Sequence, residues 1–200
     1  MNTRGRPREF DTDETVEALL TQFWQQGYAP TSLTDLCTAT GLAKPSLYAA
    51  FGNKEGLFLA ALDAYQTRHA QPALDAMMAE PDARTAILRL FENLIDRPQT
   101  ALGCLITHNL TEAQLPPQIT QALQTASHHA TQTIAQRLQR AKDDHQLPPD
   151  TDLHALLSFL LLTFAGLVTM ARAGTPPETL RPALHLALTL WPHPPKNPST

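Results

Sequence analysis

The chain of 200 residues is poor in cysteine, with two, Cys37 and Cys104. Two thiols this far apart make neither a disulfide framework nor a zinc-finger spacing, and reduced thiols fit a cytoplasmic protein. No apolar segment follows a basic stretch at the start, so no secretory signal is read there. The sequence has no G-x-S-x-G, no P-loop, no H-E-x-x-H and no dinucleotide fingerprint. An enzyme is therefore not expected, nor is a metal or cofactor. Cationic charge is scarce as well: a net charge of −4 and a pI near 6.0 exclude a protein that holds nucleic acid by bulk charge. There is no internal repeat. A hydrophobic share of 42% and a mean hydropathy of −0.23 fit a globular chain of one or two domains.

What is present is concentrated in residues 31–57, TSLTDLCTATGLAKPSLYAAFGNKEGL. Thr31 and Ser32 followed by Asp35 form a capping-box pattern, with Leu33 and Leu36 on one helix face. Gly41 suits the left-handed stop of that helix. Pro45 suits the first turn of the next, a short helix over residues 45–50. Gly52 and Asn53 end it, and Lys54-Glu55 opens another. A helix, a tight turn and a polar second helix make a helix-turn-helix, whose second helix enters the DNA major groove. Lys44 suits a phosphate or guanine O6/N7, Ser46 a base edge or phosphate, and Tyr48 a phosphate oxygen. Lys54 combines a cation with free helix amides, and Thr34 and Ala43 lie on the same side. Ala49 and Ala50 offer little beyond contact with thymine methyls. Phe51 is read as core, Tyr48 as partly so, and Cys37 as packing.

In residues 1–60, seven acids outnumber five cations. Placement matters more than the sum, because Arg4, Arg6 and Arg8 form an arm before the first helix. An extended Arg-Gly-Arg-Pro-Arg run fits the narrow minor groove of A/T-rich DNA. A solvated terminus is the other reading of that run.

The order T-S-L-x-D-L, A-x-x-G-L, K-P-S-L-Y-x-x-F-G-x-K-E-x-L-F resembles the N-terminal domain of the TetR family of bacterial regulators over residues 4–65. The resemblance implies an all-α fold of about nine helices, with a three-helix head and a helical body. It implies a DNA-binding transcriptional regulator, a repressor, which binds a near-palindromic operator as a homodimer through its last two helices. A small molecule in the body, or chemistry at a cysteine, would release it. Lys44, Pro45, Ser46, Tyr48, Lys54 and Thr34 match positions that face DNA in the family. Expected boundaries are 1–56 for the head, 57–191 for the body and 192–200 for a proline-rich tail. A helical adaptor that binds protein instead of DNA is the alternative.

Apolar periodicity supports a helix over 11–27 with Val16, Leu19, Leu20, Phe23 and Trp24, and another from 54 to about 70. Pro72 and Pro81 are expected to break the chain. Further helices are expected over 82–95, 103–114, 117–144, 153–170 and 178–191. The run at 153–170 is marginal for a bilayer span and is read as buried in a core or an oligomer, with no membrane. Cys104 follows Gly103 at a helix start, and His108 lies four residues on, on the same face. Some family members carry a cysteine in such a G-C-L setting and respond to oxidants, electrophiles or metals. Packing, a redox or electrophile switch, and metal binding stay open for Cys104. His128 and His129 are adjacent, so they face apart and form no single site. Phe91, Leu94, Cys104, His108, Phe159, Thr163, Phe164 and Met170 are candidates for an effector cavity, and equally for a helical core.

Overall fold

The structure, a computed structural model, describes residues 11–96 and 103–193. All ordered secondary structure among them is helical: α1 Thr12–Gln26, α2 Leu33–Thr40, α3 Lys44–Phe51, α4 Lys54–Tyr65, α5 Gln71–Ala79, α6 Ala83–Ile95, α7 Leu105–Asn109, α8 Pro117–Asp143, α9 Leu153–Arg172 and α10 Pro177–Ala187. A π turn, Gln66–Ala70, joins α4 to α5 in one unbroken run, so these segments form nine rods.

The head is built by caps and a small core. The Asp11 carboxylate accepts from the amides of Asp13 and Glu14, which starts α1. At α2 the capping box is reciprocal: the Asp35 amide donates to Ser32 Oγ at 3.1 Å, and the Ser32 amide donates to Asp35 Oδ2 at 2.8 Å. These bonds hold the Asp35 carboxyl below its ordinary value. Gly41 ends α2 in the left-handed region, at φ +67°. The core joins Leu19, Leu20 and Phe23 of α1 to Leu36, Leu47, Leu57 and Phe58. The Phe23 and Phe58 rings meet edge-on at 5.0 Å, and Tyr28 meets Phe58 at 5.2 Å. Cys37 packs half-buried against this core. Phe51 does so too, and is less enclosed than a full core residue.

Three expectations are corrected. Pro72 does not break the chain, because it lies at the second residue of α5, just past the π turn. Proline lacks an amide, and its ring crowds the carbonyl four residues back. The wider turn, in which the Gln71 amide bonds the Gln66 carbonyl, removes that conflict. Second, α7 covers only five of the residues expected from 103 to 114. Asn109 bonds back to the Leu105 carbonyl at 2.8 Å and Thr111 to the His108 carbonyl at 2.6 Å, so polar side chains take over helix acceptors and the chain turns. Third, the last helix stops at Ala187 and tightens into a 3-10 turn, Leu188–Leu190, before Trp191.

The body packs α6, α7 and α10 around α8 and α9. Buried on α8 are Ile119, Leu123, Ala126, Ile134 and Leu138, as the helical spacing predicts. Arg137 lies in the same stripe and is fully buried, giving 3.0 Å hydrogen bonds to the carbonyls of Glu80 and Pro81 at the α5–α6 corner. α9 is long and apolar enough to cross a bilayer. Only part of it is buried in this chain: Leu162 and Met170 are exposed, as are Leu186 on α10 and Leu190 beyond it.

The angle between α3 and α4 depends on Gly56, where a Cβ would overlap the Phe51 carbonyl oxygen. Gly56→Ala is therefore expected to destabilise the head by about 1–3 kcal/mol, as overpacking does. A drop in the urea unfolding midpoint would register it, whereas a rise, as for an open helical glycine, would contradict the contact.

Candidate nucleic-acid interface, head–body joint and cavity

α3 carries the candidate DNA surface. Leu47 anchors it from below, while Lys44, Pro45, Ser46, Ala49 and Ala50 face solvent beside the exposed Ala43. Thr34 on α2 is exposed as well. Tyr48 is half-buried, its ring packed on the head core, with Lys44 Nζ 5.2 Å from its centroid. Lys54 behaves differently from its neighbours. Its ammonium donates to the Ala29 carbonyl at 3.3 Å and lies 4.5 Å over the Tyr28 ring, and burial lowers its pKa from the ordinary value. Lys54 thus braces the link between α1 and α2. Arg4, Arg6 and Arg8 lie outside the described residues.

The end of α1 is completed by the body. The Tyr28 amide donates to Asn109 Oδ1 at 2.7 Å and to Glu112 Oε1 at 2.8 Å, and the Ala29 amide donates to Glu112 Oε2 at 2.7 Å. From α9, Arg172 donates to the carbonyls of Trp24 at 3.0 Å and Gln25 at 2.9 Å, which the end of α1 leaves without intrahelical partners. The Trp24 indole donates to the Gly103 carbonyl at 3.2 Å. Gly27, at φ +93°, makes the close approach possible, since a Cβ there would overlap Glu112 Oε1 and come within 2.9 Å of His108 Nε2. Arg68, in the π turn, pairs with Glu17 and, at 3.4 Å, with Asp13 of α1.

A cavity of about 120 Å³ opens between α4 to α9. Of the eight residues expected to line it, Phe91, Leu94, Cys104 and Phe164 do. The other four lie elsewhere. His108 faces the joint, because α7 ends at Asn109 and the chain there turns toward α1. Phe159 packs partly buried on the core. Thr163 and Met170 border a separate shallow groove between α9 and α10. Among the polar residues of the wall, the sequence reading missed Tyr65, Asn93, Thr107, Ser127 and Thr131. Cys104 and His108 therefore do not converge on one site, and no cluster of three metal-ligating side chains occurs among the described residues.

This geometry has counterparts in known proteins. Residues 16–61 match the model of bacterial regulatory proteins of the tetR family, and residues 82–186 match the tetracyclin repressor-like C-terminal domain. The chain is 36% identical to the HTH-type transcriptional repressor ComR of Escherichia coli K12 over 197 residues, covering 95% of this chain and 93% of ComR. It is 32% identical, with a TM-score of 0.86, to a cysteine-substituted mutant of the TetR family regulator CifR complexed with 26-bp operator DNA; the match covers 94% of this chain and all of that one. A putative TetR regulator from Rhodococcus sp. RHA1 is 35% identical, with a TM-score of 0.60 over 92% of this chain.

The chain belongs to the TetR family. It is a DNA-binding transcriptional regulator. As in the TetR layout, the cavity sits in the helical body, one ring away from the head: Tyr65, on its wall, meets Trp24 of α1 edge-on at 4.8 Å.

His108 gives the joint a pH signature. Burial first, then the Arg172 charge, lowers its pKa from the ordinary 6.5, against smaller opposing contributions from the Gln26 backbone and Glu112. As pH falls through about 6.5, the unfolded chain takes up a proton that the folded one resists, so stability is held above that pH and lost below it. The fall in urea midpoint between pH 7.5 and 5.5 should be smaller in His108→Gln. An equal fall in both proteins would place the titrating group elsewhere.

Proposed function

We propose that this TetR member is a cytoplasmic repressor that binds a near-palindromic operator as a homodimer and leaves it when a small effector enters the cavity. One observation carries the reading most directly: α3 turns Lys44, Pro45 and Ser46 outward on a capped, rigid head, in a chain 32% identical over nearly its whole length to a regulator captured on operator DNA. Residues 1–56 act as the reading head, 57–191 as the effector and dimer body, and 192–200 as a tail. The protein works by binding, without catalysis.

On DNA, Lys44 reads a base edge or a phosphate, with Ser46 and Thr34 beside it. The Tyr48 hydroxyl donates to a phosphate oxygen while its ring holds α3 to the core. Lys54 adds charge near the backbone of the duplex and braces the α1–α2 link. Arg4, Arg6 and Arg8 reach the adjacent minor groove. With so few cations, specific binding stands on a weak non-specific background that salt removes quickly.

The exposed leucines of the last two helices support the dimer. Leu162 and Leu186 are 74% and 70% exposed, a cost in water that a second copy would relieve. Two α3 helices would then enter successive major grooves about 34–36 Å apart. Cys104 offers a second route to release, because it lies buried on the cavity wall, where chemistry at sulfur and occupancy by a ligand would act on the same Tyr65.

Selecting bound sites from a random DNA pool with the purified protein should return an inverted repeat; a folded dimer that enriches no site would contradict operator binding. Tyr48→Ala is expected to weaken binding across sequences by about tenfold, and Lys44→Ala to relax preference within a half-site. If both variants titrate like wild type in gel shifts, the docking of α3 is wrong. Cys104→Ser should keep DNA binding, and a preserved response to oxidant in that variant would remove the cysteine route.

A further inference from the structure

The cavity in the body has a size and a chemistry that select among ligands. Its volume of about 120 Å³ is close to the roughly 150 Å³ of an apolar cavity that holds benzene, which matches a ligand body of about six to eight non-hydrogen atoms. None of the described residues on its wall is charged. An ion placed there would lose its hydration and meet no counter-charge.

The polar part of the wall is neutral and sparse. Asn93, Thr107, Ser127 and Thr131 contribute to it, the last two one helical turn apart on α8. Tyr65 is the one α4 residue on the described wall. Its hydroxyl donates to Cys104 Sγ at 3.4 Å. A thiol sulfur is a weak acceptor, whereas an oxygen accepts a phenolic O–H at about 2.7–2.8 Å and more strongly. An oily cavity therefore contains a good donor resting on a poor acceptor.

Taking the cavity as the effector site, on which the inference rests, we infer that the effector is a small uncharged molecule with an acceptor oxygen. A ketone, ether or alcohol on a hydrocarbon body fits, and it takes the Tyr65 hydroxyl away from Cys104. The exchange is a change of hydrogen-bond partner only, with no covalent step. It reaches the head by a short path. The Tyr65 ring packs on Trp24, whose indole is tied to the Gly103 carbonyl next to Cys104, and whose own carbonyl accepts from Arg172. Tyr65 is thus a recognition residue for the effector and a positioning residue for the end of α1.

Four probes that all fit this size test it on the full-length dimer by ligand-observed NMR titration: cyclohexanone, methylenecyclohexane, cyclopentanecarboxylate and cyclohexylammonium. Cyclohexanone should bind tightest, and the two ions at least about a hundredfold more weakly, because a buried ion lacks a partner. Tyr65→Phe keeps the ring and loses the hydroxyl. It should weaken cyclohexanone about five- to tenfold, the worth of one hydrogen bond, and leave methylenecyclohexane within about twofold. Ala130→Leu fills the cavity and should abolish binding of both neutral probes, with Ser127→Leu as a second filling variant should the first not fold. Ions that bind as well as cyclohexanone would overturn the chemical class while leaving the site. Equal losses of both neutral probes in Tyr65→Phe would reduce Tyr65 to packing. No binding by any probe, or binding that survives both filled variants, would overturn the cavity itself as the effector site.

Discussion

The C-terminal end of α1 is finished by groups from the body, and the placement of the DNA-reading surface depends on that contact. Arg172 closes the Trp24 and Gln25 carbonyls, while Glu112 and Asn109 close the amides of Tyr28 and Ala29. Hydrogen bonds to charged groups contribute about 1.5–3 kcal/mol each, so a joint with several of them is stiff and has one preferred geometry. α1 also supplies Leu19, Leu20 and Phe23 to the head core, so fixing its end fixes the core against which α2, α3 and α4 pack. A surface that must present two copies of α3 at a set spacing needs this stiffness.

α9 shows how one helix serves several tasks at different angles. Leu160, Leu161 and Phe164 border the cavity, Leu162 and Met170 face outward, and Arg172 at its end reaches α1. A shift of α9 or of Tyr65 on α4 would therefore be felt at the cavity, the apolar outer face and the joint together. Such a signal works only if the effector binds one arrangement of the joint more tightly than another, by an amount equal to the shift in DNA affinity it produces.

Much of the head was legible in the sequence because its signals are local. The Ser32–Asp35 box, Gly41 and Pro45 act within a few residues, and the helix ends fell close to where these place them. The order of body helices was legible for the same reason. The long-range features were not. Pro72 signals a break, and only the π turn before it, read from the backbone, removes the clash. Asn109 and Glu112 look like ordinary helix residues until the end of α1 is beside them. The eight cavity candidates are mostly apolar residues with a few polar ones, a mixture that core and cavity share, so half of them line the cavity and Tyr65 was overlooked. Lys54 carries a charge that suggests DNA, yet its ammonium sits on Tyr28 and Ala29. Periodicity says that a residue faces inward; it does not say what it meets.

The central claim is that the body holds the head in one orientation through the end of α1. Its most direct test is the distance between spin labels at position 49 of the two protomers, by pulsed electron resonance, with Cys37 and Cys104 replaced by alanine. One narrow distance is expected in the free dimer, and a broad distribution once Glu112→Ala opens the joint. A distribution equally narrow in both proteins would mean that the head is held by other contacts and that the joint does not set the spacing.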